Sequence, residues 1–174
     1  MRTKMKNELS IRVSTITDLA SIVDIYNQAI RSKCATGDIV EFTIEDRIEW
    51  FHTYESNSYP LYVAEIENVI VGYCTISLYR QGRAAMSSVA EISYYLDYAY
   101  HEQGIGTALI KHAIADCKRI GKENLLAILL DINTPSIGLL EKLNFKKWGH
   151  FPDIIDLHGN KCGQLIYGLK ISTT

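Results

Sequence analysis

The residues with the clearest chemical potential lie in one stretch of the chain. His101-Glu102-Gln103-Gly104-Ile105-Gly106-Thr107 stands between a β-rich run and a helical one, with glycines two residues apart. Such glycines let backbone N–H groups approach an anion at the positive end of a helix dipole, and pyrophosphate is the obvious candidate. A plain tight connection would use the same glycines, so the pattern alone leaves both readings open. Upstream, Glu91 sets a carboxylate inside an apolar, β-branched segment. Partial burial would raise its pKa towards the range of a general base, whereas a glutamate paired with a surface lysine would be purely structural. Arg80 and Arg83 precede it on a polar loop. Paired guanidiniums suit planar anionic groups by bidentate hydrogen bonding, and solvated loop charge is the competing reading.

Other chemistries fit less well. A dinucleotide fingerprint needs a third glycine and an acidic residue at a following strand end, and a P-loop needs Gly-Lys-Ser/Thr; the chain has Gly-Ile-Gly-Thr. His52, His112, His150 and His158 show no ligand spacing, and Cys34, Cys74, Cys117 and Cys162 are scattered without a Cys-x-x-Cys pair. No metal is expected, and the cysteines read as reduced, mostly buried thiols. None sits beside a histidine or at an expected helix start, which argues against a catalytic thiol.

The elements that must position these residues follow from periodicity. A short strand is expected over 9–13. Leu19, Ile22, Val23, Tyr26, Ala29 and Ile30 then recur at helical spacing behind a capping-box pattern, Thr15-Ile16-Thr17-Asp18. A second box, Thr43-Ile44-Glu45-Asp46, opens a helix with Ile44, Ile48 and Phe51 on its stripe, and Tyr59-Pro60 ends that region. A hairpin is expected over 61–66 and 69–78, broken at Glu67-Asn68, with Gly72 marking a bulge or a close backbone approach. A third strand runs over 89–96. Alternation puts Val89, Glu91, Ser93 and Tyr95 on one face and Ala90, Ile92, Tyr94 and Leu96 on the other. The helix after the glycine turn carries Ile105, Leu109, Ala113, Ile114, Cys117 and Ile120, with Gly121 as its stop. A buried parallel strand over 125–130, a helix opened by Thr134-Pro135, and strands over 145–151 and 164–169 complete a mixed α/β order.

The 174 residues suit a single domain over 1–174. Lysine plus arginine number 18 against 20 acids, a formal charge of -2, so no basic field recruits nucleic acid or an anionic membrane. No apolar run approaches the roughly 20 residues that span a bilayer. With a basic, polar start, the expectation is a cytoplasmic protein with a small-molecule partner.

His101-x-x-Gly104-x-Gly106 resembles the Arg/Gln-x-x-Gly-x-Gly/Ala turn of the GNAT N-acetyltransferase superfamily. Asn133-Thr134-Pro135-Ser136 through Glu141-Lys142-Leu143-Asn144-Phe145 is similar to that superfamily's second motif. Within it, Tyr26-Asn27-Gln28-Ala29-Ile30, Arg47-Ile48-Glu49-Trp50-Phe51, Tyr59-Pro60-Leu61-Tyr62-Val63-Ala64 and Ala90-Glu91-Ile92-Ser93-Tyr94-Tyr95-Leu96 resemble the phosphinothricin and methionine sulfoximine acetyltransferase branch. The resemblance implies an acyl-CoA N-acyltransferase fold, a central mixed, mostly antiparallel sheet flanked by about four helices. Acetyl-CoA would be the cofactor and coenzyme A the product, and a homodimer is implied.

Residue by residue, the resemblance implies that Tyr94, Tyr95 and Leu96 hold the pantetheine arm through main-chain bonds. Glu102, Gln103, Gly104, Ile105, Gly106 and Thr107 would hold the pyrophosphate, and Asn133, with Ser136, would line the arm's other side. Glu91 would be the general base, directly or through water, for direct transfer to the amino group of a small amino acid or analogue. Arg80, Arg83, Glu91, Ile92 and Ser93 would bind that acceptor, with Trp50, Phe51, Tyr54 and Tyr73 as pocket walls or plain core. Three departures stand out. His101 replaces Arg/Gln, Asn144 replaces a glycine, and Leu140 stands where many relatives carry tyrosine or histidine, so that position cannot protonate a leaving thiolate. Alternatives are a protein or peptide amino-terminal acetyltransferase and a non-catalytic acetyl-CoA sensor with Glu91 locked in a salt bridge.

Overall fold

A computed structural model describes residues 8–171. The elements in chain order are β1 (Ser10–Val13), α1 (Leu19–Ser32), α2 (Ile44–His52), β2 (Leu61–Ile66), β3 (Val69–Leu78), β4 (Val89–Leu96), α3 (Ile105–Asp116), β5 (Asn124–Leu130), α4 (Thr134–Lys142), β6 (Lys146–Leu157) and β7 (Asn160–Lys170). They build one seven-stranded sheet in the order β1-β2-β3-β4-β5-β7-β6. Every neighbouring pair is antiparallel except β4 and β5, which the α3 crossover makes parallel. This is the expected mixed sheet with four helices.

Both capping boxes form. Asp18 accepts from Thr15 N (2.8 Å) ahead of α1, and Asp46 accepts from Thr43 N (2.8 Å) while Thr43 Oγ1 accepts from Asp46 N (3.3 Å). Each arrangement satisfies backbone donors that a helix start leaves free. The hairpin turns at Glu67 and Asn68, both at positive φ. Gly72 meets both expectations. The β2–β3 register slips beside it, and a Cβ there would come within 2.6 Å of Leu96 Cδ2 and 3.1 Å of the Tyr95 carbonyl.

Two apolar layers sandwich the sheet. Tyr62, Cys74, Ile76, Ala90 and Ile92 pack under α3 and α4, and Leu61, Val63 and Tyr73 pack under α1 with Phe42, Trp50, Phe51 and Tyr54. Cys74, Cys117 and Cys162 are buried, Cys34 is partly so, and all four are free thiols.

Three boundaries differ from the sequence-based expectation. In α2 the inward stripe is Arg47, Trp50 and Phe51, extended by Tyr54, while Ile44 and Ile48 are exposed. The helix is rotated because an arginine lying flat on aromatic rings belongs to its inner face. In α3 the α-helical part ends at Asp116, and turns carry Cys117 and Ile120 into the core before Gly121 at φ 69°. β6 and β7 are longer than expected and meet at His158-Gly159. Pro152 and positive-φ Asp153 interrupt β6, and its outer half is mostly exposed, so it lacks the alternation that marks a strand.

Candidate active site

The site begins where the sheet comes apart. β4 and β5 are in register only from Val89↔Asn124 to Glu91↔Leu126, after which the strands separate. β4 stays paired to β3 as far as Leu96, and β5 stays paired to β7 as far as Leu130. Beyond Glu91, therefore, the inner edges of both strands turn main-chain groups towards a gap instead of towards each other. Free strand edges in a sheet bind extended, amide-bearing chains. A cleft of about 500 Å³ opens from this gap, bounded by Tyr94, Tyr95, Leu96, the turn after β4, Asn133 and Ser136.

At the cleft's other end lies the N-terminus of α3. Gly104 at φ 81° is the N-cap and has no side chain to cap the helix. The first intrahelical bond runs from Ala108 N to Gly104 O (3.0 Å), which leaves the N–H groups of Ile105, Gly106 and Thr107 without intrahelical acceptors. Three such donors at a positive helix end form an anion site. Gly106 fixes the depth of α3, since a Cβ there would meet Leu139 at 3.1 Å and Leu96 at 3.5 Å. His101 stands on the rim against Tyr98 (ring centroids 4.5 Å apart), where it can face the same anion. Gln28 of α1 holds the turn in place by accepting from Tyr98 N (2.9 Å) and donating to Asp97 (3.2 Å).

The opposite wall is α4. Asn133 is its N-cap, buried, with Oδ1 accepting from Ser136 N at 3.3 Å. Its Nδ2 makes no hydrogen bond among the described residues, so a donor remains to face the cleft. Pro135 takes the second helical position, one later than expected from the sequence.

Residues paired across an antiparallel ladder share a face. Tyr73, Thr75 and Ser77 of β3 oppose Tyr95, Ser93 and Glu91 of β4, so this polar strip lies on the α1–α2 side of the sheet. Glu91 is half-buried, with no ion pair among the described residues, and the Ser93 hydroxyl two residues on is within reach of its carboxyl. Burial pushes its carboxyl pKa up. Among the described residues no lysine or arginine is tied to it, as the structural alternative would require. Above the strip sits Arg47, its guanidinium 4.0 Å from the Trp50 ring centroid, 4.7 Å from Phe42 and 5.0 Å from Tyr26. Arg47 also has no carboxylate partner among the described residues. Tyr54 lies in the fields of both Arg47 and Glu91, and burial raises its pKa.

The structure brings together most of the expected cofactor set. Tyr94, Tyr95, Leu96, Glu102, Gly104, Ile105, Gly106, Thr107, Asn133 and Ser136 all line the cleft, while Gln103 turns back to Ala99 O (3.4 Å). Ile92 faces the α3–α4 core, opposite to Glu91 and Ser93. Arg80 and Arg83 are exposed on the β3–β4 loop and line no part of the cleft. Tyr73 is core, 1% exposed. Arg47 was legible only as part of a motif; its spacing with Trp50, Phe51 and Tyr54 (i, i+3, i+4, i+7) is the signal that would have found it. Cys34 and Ala35, which close the cleft from beyond α1, carry no sequence signal.

These features are a fit for coenzyme A: free main-chain edges for its two amides, uncapped helix donors for its pyrophosphate, and a cleft joining them. Residues 21–145 match the acetyltransferase (GNAT) family. Among curated proteins the chain is 37% identical to the Bacillus subtilis (strain 168) protein named "Putative phosphinothricin acetyltransferase YwnH", over 94% of this chain and all of that one. It is 27% identical to the L-methionine sulfoximine/L-methionine sulfone acetyltransferase of Salmonella typhimurium, over 84% of this chain and 85% of that one. Among solved structures it superposes with a TM-score of 0.88 on a phosphinothricin acetyltransferase from Sinorhizobium meliloti in complex with acetyl-CoA, at 26% identity, covering 94% of this chain and 89% of the other. The splayed strands, the uncapped α3 and these similarities agree: the chain belongs to the acetyltransferase (GNAT) family and is an acetyl-CoA-dependent N-acetyltransferase.

Proposed function

We propose that this enzyme acetylates the amino group of a small amino acid or analogue of the phosphinothricin or methionine sulfoximine type, with Glu91 as general base. Bound acetyl-CoA supplies an activated acetyl group; the protein supplies placement and proton management. The observation that carries this reading is a half-buried carboxylate (Glu91) and a half-buried guanidinium (Arg47), neither in an ion pair among the described residues, on the same side of the sheet beside the strand gap. A free amino acid presents an ammonium and a carboxylate, the charges that complement this pair. Glu91 takes the ammonium proton directly or through water, and Arg47 holds the anionic end with its donors while the aromatic rings hold its face. Holding both substrates together supplies further rate through proximity. Arg80 and Arg83 retain a lesser part in this proposal, as exposed charges on the approach.

A free-thiol release assay with acetyl-CoA tests it against phosphinothricin, methionine sulfoximine, methionine sulfone, polyamines and peptides. Turnover with the free amino acid analogues is expected. Turnover confined to peptides would sink the acceptor assignment, and none with any amine would favour a sensor.

A further inference from the structure

Leu140 on α4 is buried, 1% exposed, and has no proton to offer the recess it lines. The same region holds an unspent donor. The Tyr94 hydroxyl is the one buried side-chain polar atom among the described residues without a hydrogen-bond partner. Burying a hydroxyl without a partner is destabilising, so it needs a reason. Tyr94 lines the cleft and also a smaller recess between the parted strands, which it shares with Asn133, Ser136 and Leu140. Its neighbours take up the proton only weakly. Cys74, its ladder partner on β3, is a buried thiol, and Ser136 on α4 stands at the margin of hydrogen-bond reach, close enough to lower its pKa but without a well-formed bond.

We propose that Tyr94 donates a hydrogen bond from its hydroxyl to the sulfur of acetyl-CoA as the thioester is cleaved. This rests on the acetyl-transfer reading above. The bond that breaks is C–S, its electron pair passing to sulfur, and the bond that forms joins the acetyl carbon to the acceptor nitrogen. The proton lost by the amine goes to Glu91; Tyr94 keeps its own, shared with the thiolate, which is protonated by water on release. Burial pushes the Tyr94 pKa up to about 12, so the hydroxyl stays a donor throughout the working range. Tyr94 on β4 and Leu140 on α4 wall the same recess, so of these two only Tyr94 can donate there.

The test uses Tyr94→Phe, which keeps the ring, and the ionisation of enzyme-bound coenzyme A followed by thiolate ultraviolet absorbance. The readout needs no acceptor, so it stands apart from the acceptor assignment. In the wild type the bound thiol is expected to ionise at lower pH than in Tyr94→Phe, with coenzyme A affinity unchanged within about two-fold. Turnover should fall about 10²-fold, the scale seen on removing one preorganised donor. Adding Leu140→Tyr to Tyr94→Phe, which puts a donor on α4, should recover both. Identical thiol ionisation in wild type and Tyr94→Phe, or loss of coenzyme A binding itself, would overturn the assignment.

Discussion

Glu91 gains its proposed role from what it lacks. A carboxylate on a half-buried strand face with no cation beside it has its charged form disfavoured by desolvation, which raises its pKa in the folded chain. That has two consequences of opposite kind. For catalysis, the base form is lost as pH falls through this raised pKa, so the acid limb of kcat/KM should lie above the ordinary glutamate range. Glu91→Gln should remove that limb and lower turnover by about 10²-fold or more with acetyl-CoA affinity nearly unchanged. For stability, the unfolded chain holds fewer protons than the folded one between the two pKa values, so ionised Glu91 costs stability as pH rises. Glu91→Gln should accordingly melt higher than wild type at neutral pH and no higher at pH 4. Equal melting at both would deny the burial cost. Arg47 makes a separable prediction, since it binds and does not react. Arg47→Gln should raise the acceptor KM about ten-fold or more with kcat little changed, as expected on losing charge-assisted hydrogen bonds. A kcat effect with constant KM would instead mark Arg47 as a prop for the aromatic cluster.

Elements fix these residues through a few contacts that tolerate little change. Gly72 lets β3 press against Tyr95 and Leu96 at the end of β4, beyond the point where it has parted from β5. Gly72→Ala should push that segment outward, costing about 1–3 kcal/mol by overpacking and weakening coenzyme A binding in calorimetry. Far from the cleft, Arg12 on β1 donates to Asp18 ahead of α1 (2.7 and 2.9 Å) and to Glu65 on β2 (2.8 and 3.0 Å). The Arg12 guanidinium holds the Asp18 carboxyl below the usual range. Its contribution is therefore present above the unfolded Asp pKa and lost as pH falls through the depressed one. Arg12→Ala should cost about 2 kcal/mol in denaturant melts at pH 7, and the gap to wild type should shrink below pH 4. The elements themselves were largely legible. The hairpin over β2 and β3 and the limits of β4 follow from alternation and turn residues, because those strands have one strongly apolar face. The rotation of α2 was not, since its inner face includes an arginine. Nor were the outer halves of β6 and β7, which present few apolar residues to any core.

At the scale of the whole molecule, function arises from a failure of pairing. A parallel β4–β5 junction that separates after three residue pairs is what admits an extended cofactor between α3 and α4. No local sequence pattern encodes that separation. The parting of β4 from β5 carried no sequence signal, while the uncapped start of α3 was visible directly in Gly104 and Gly106. Most of the residues expected to hold the cofactor share one cleft, and that grouping was legible in the sequence. The proposed acceptor half was less so, because it combines α2 with the polar face of β3 and β4, elements distant in sequence whose meeting depends on the fold. Arg80 and Arg83 were natural candidates by spacing, and the fold leaves them exposed beside the sheet.

The central claim is that this fold moves one acetyl group from acetyl-CoA to the amine of a free amino acid analogue. Mass spectrometry of the products with methionine sulfoximine as acceptor, run alongside thiol release, measures it directly. One N-acetyl group added per thiol released is the predicted result, and thiol release without an acetylated acceptor would contradict it.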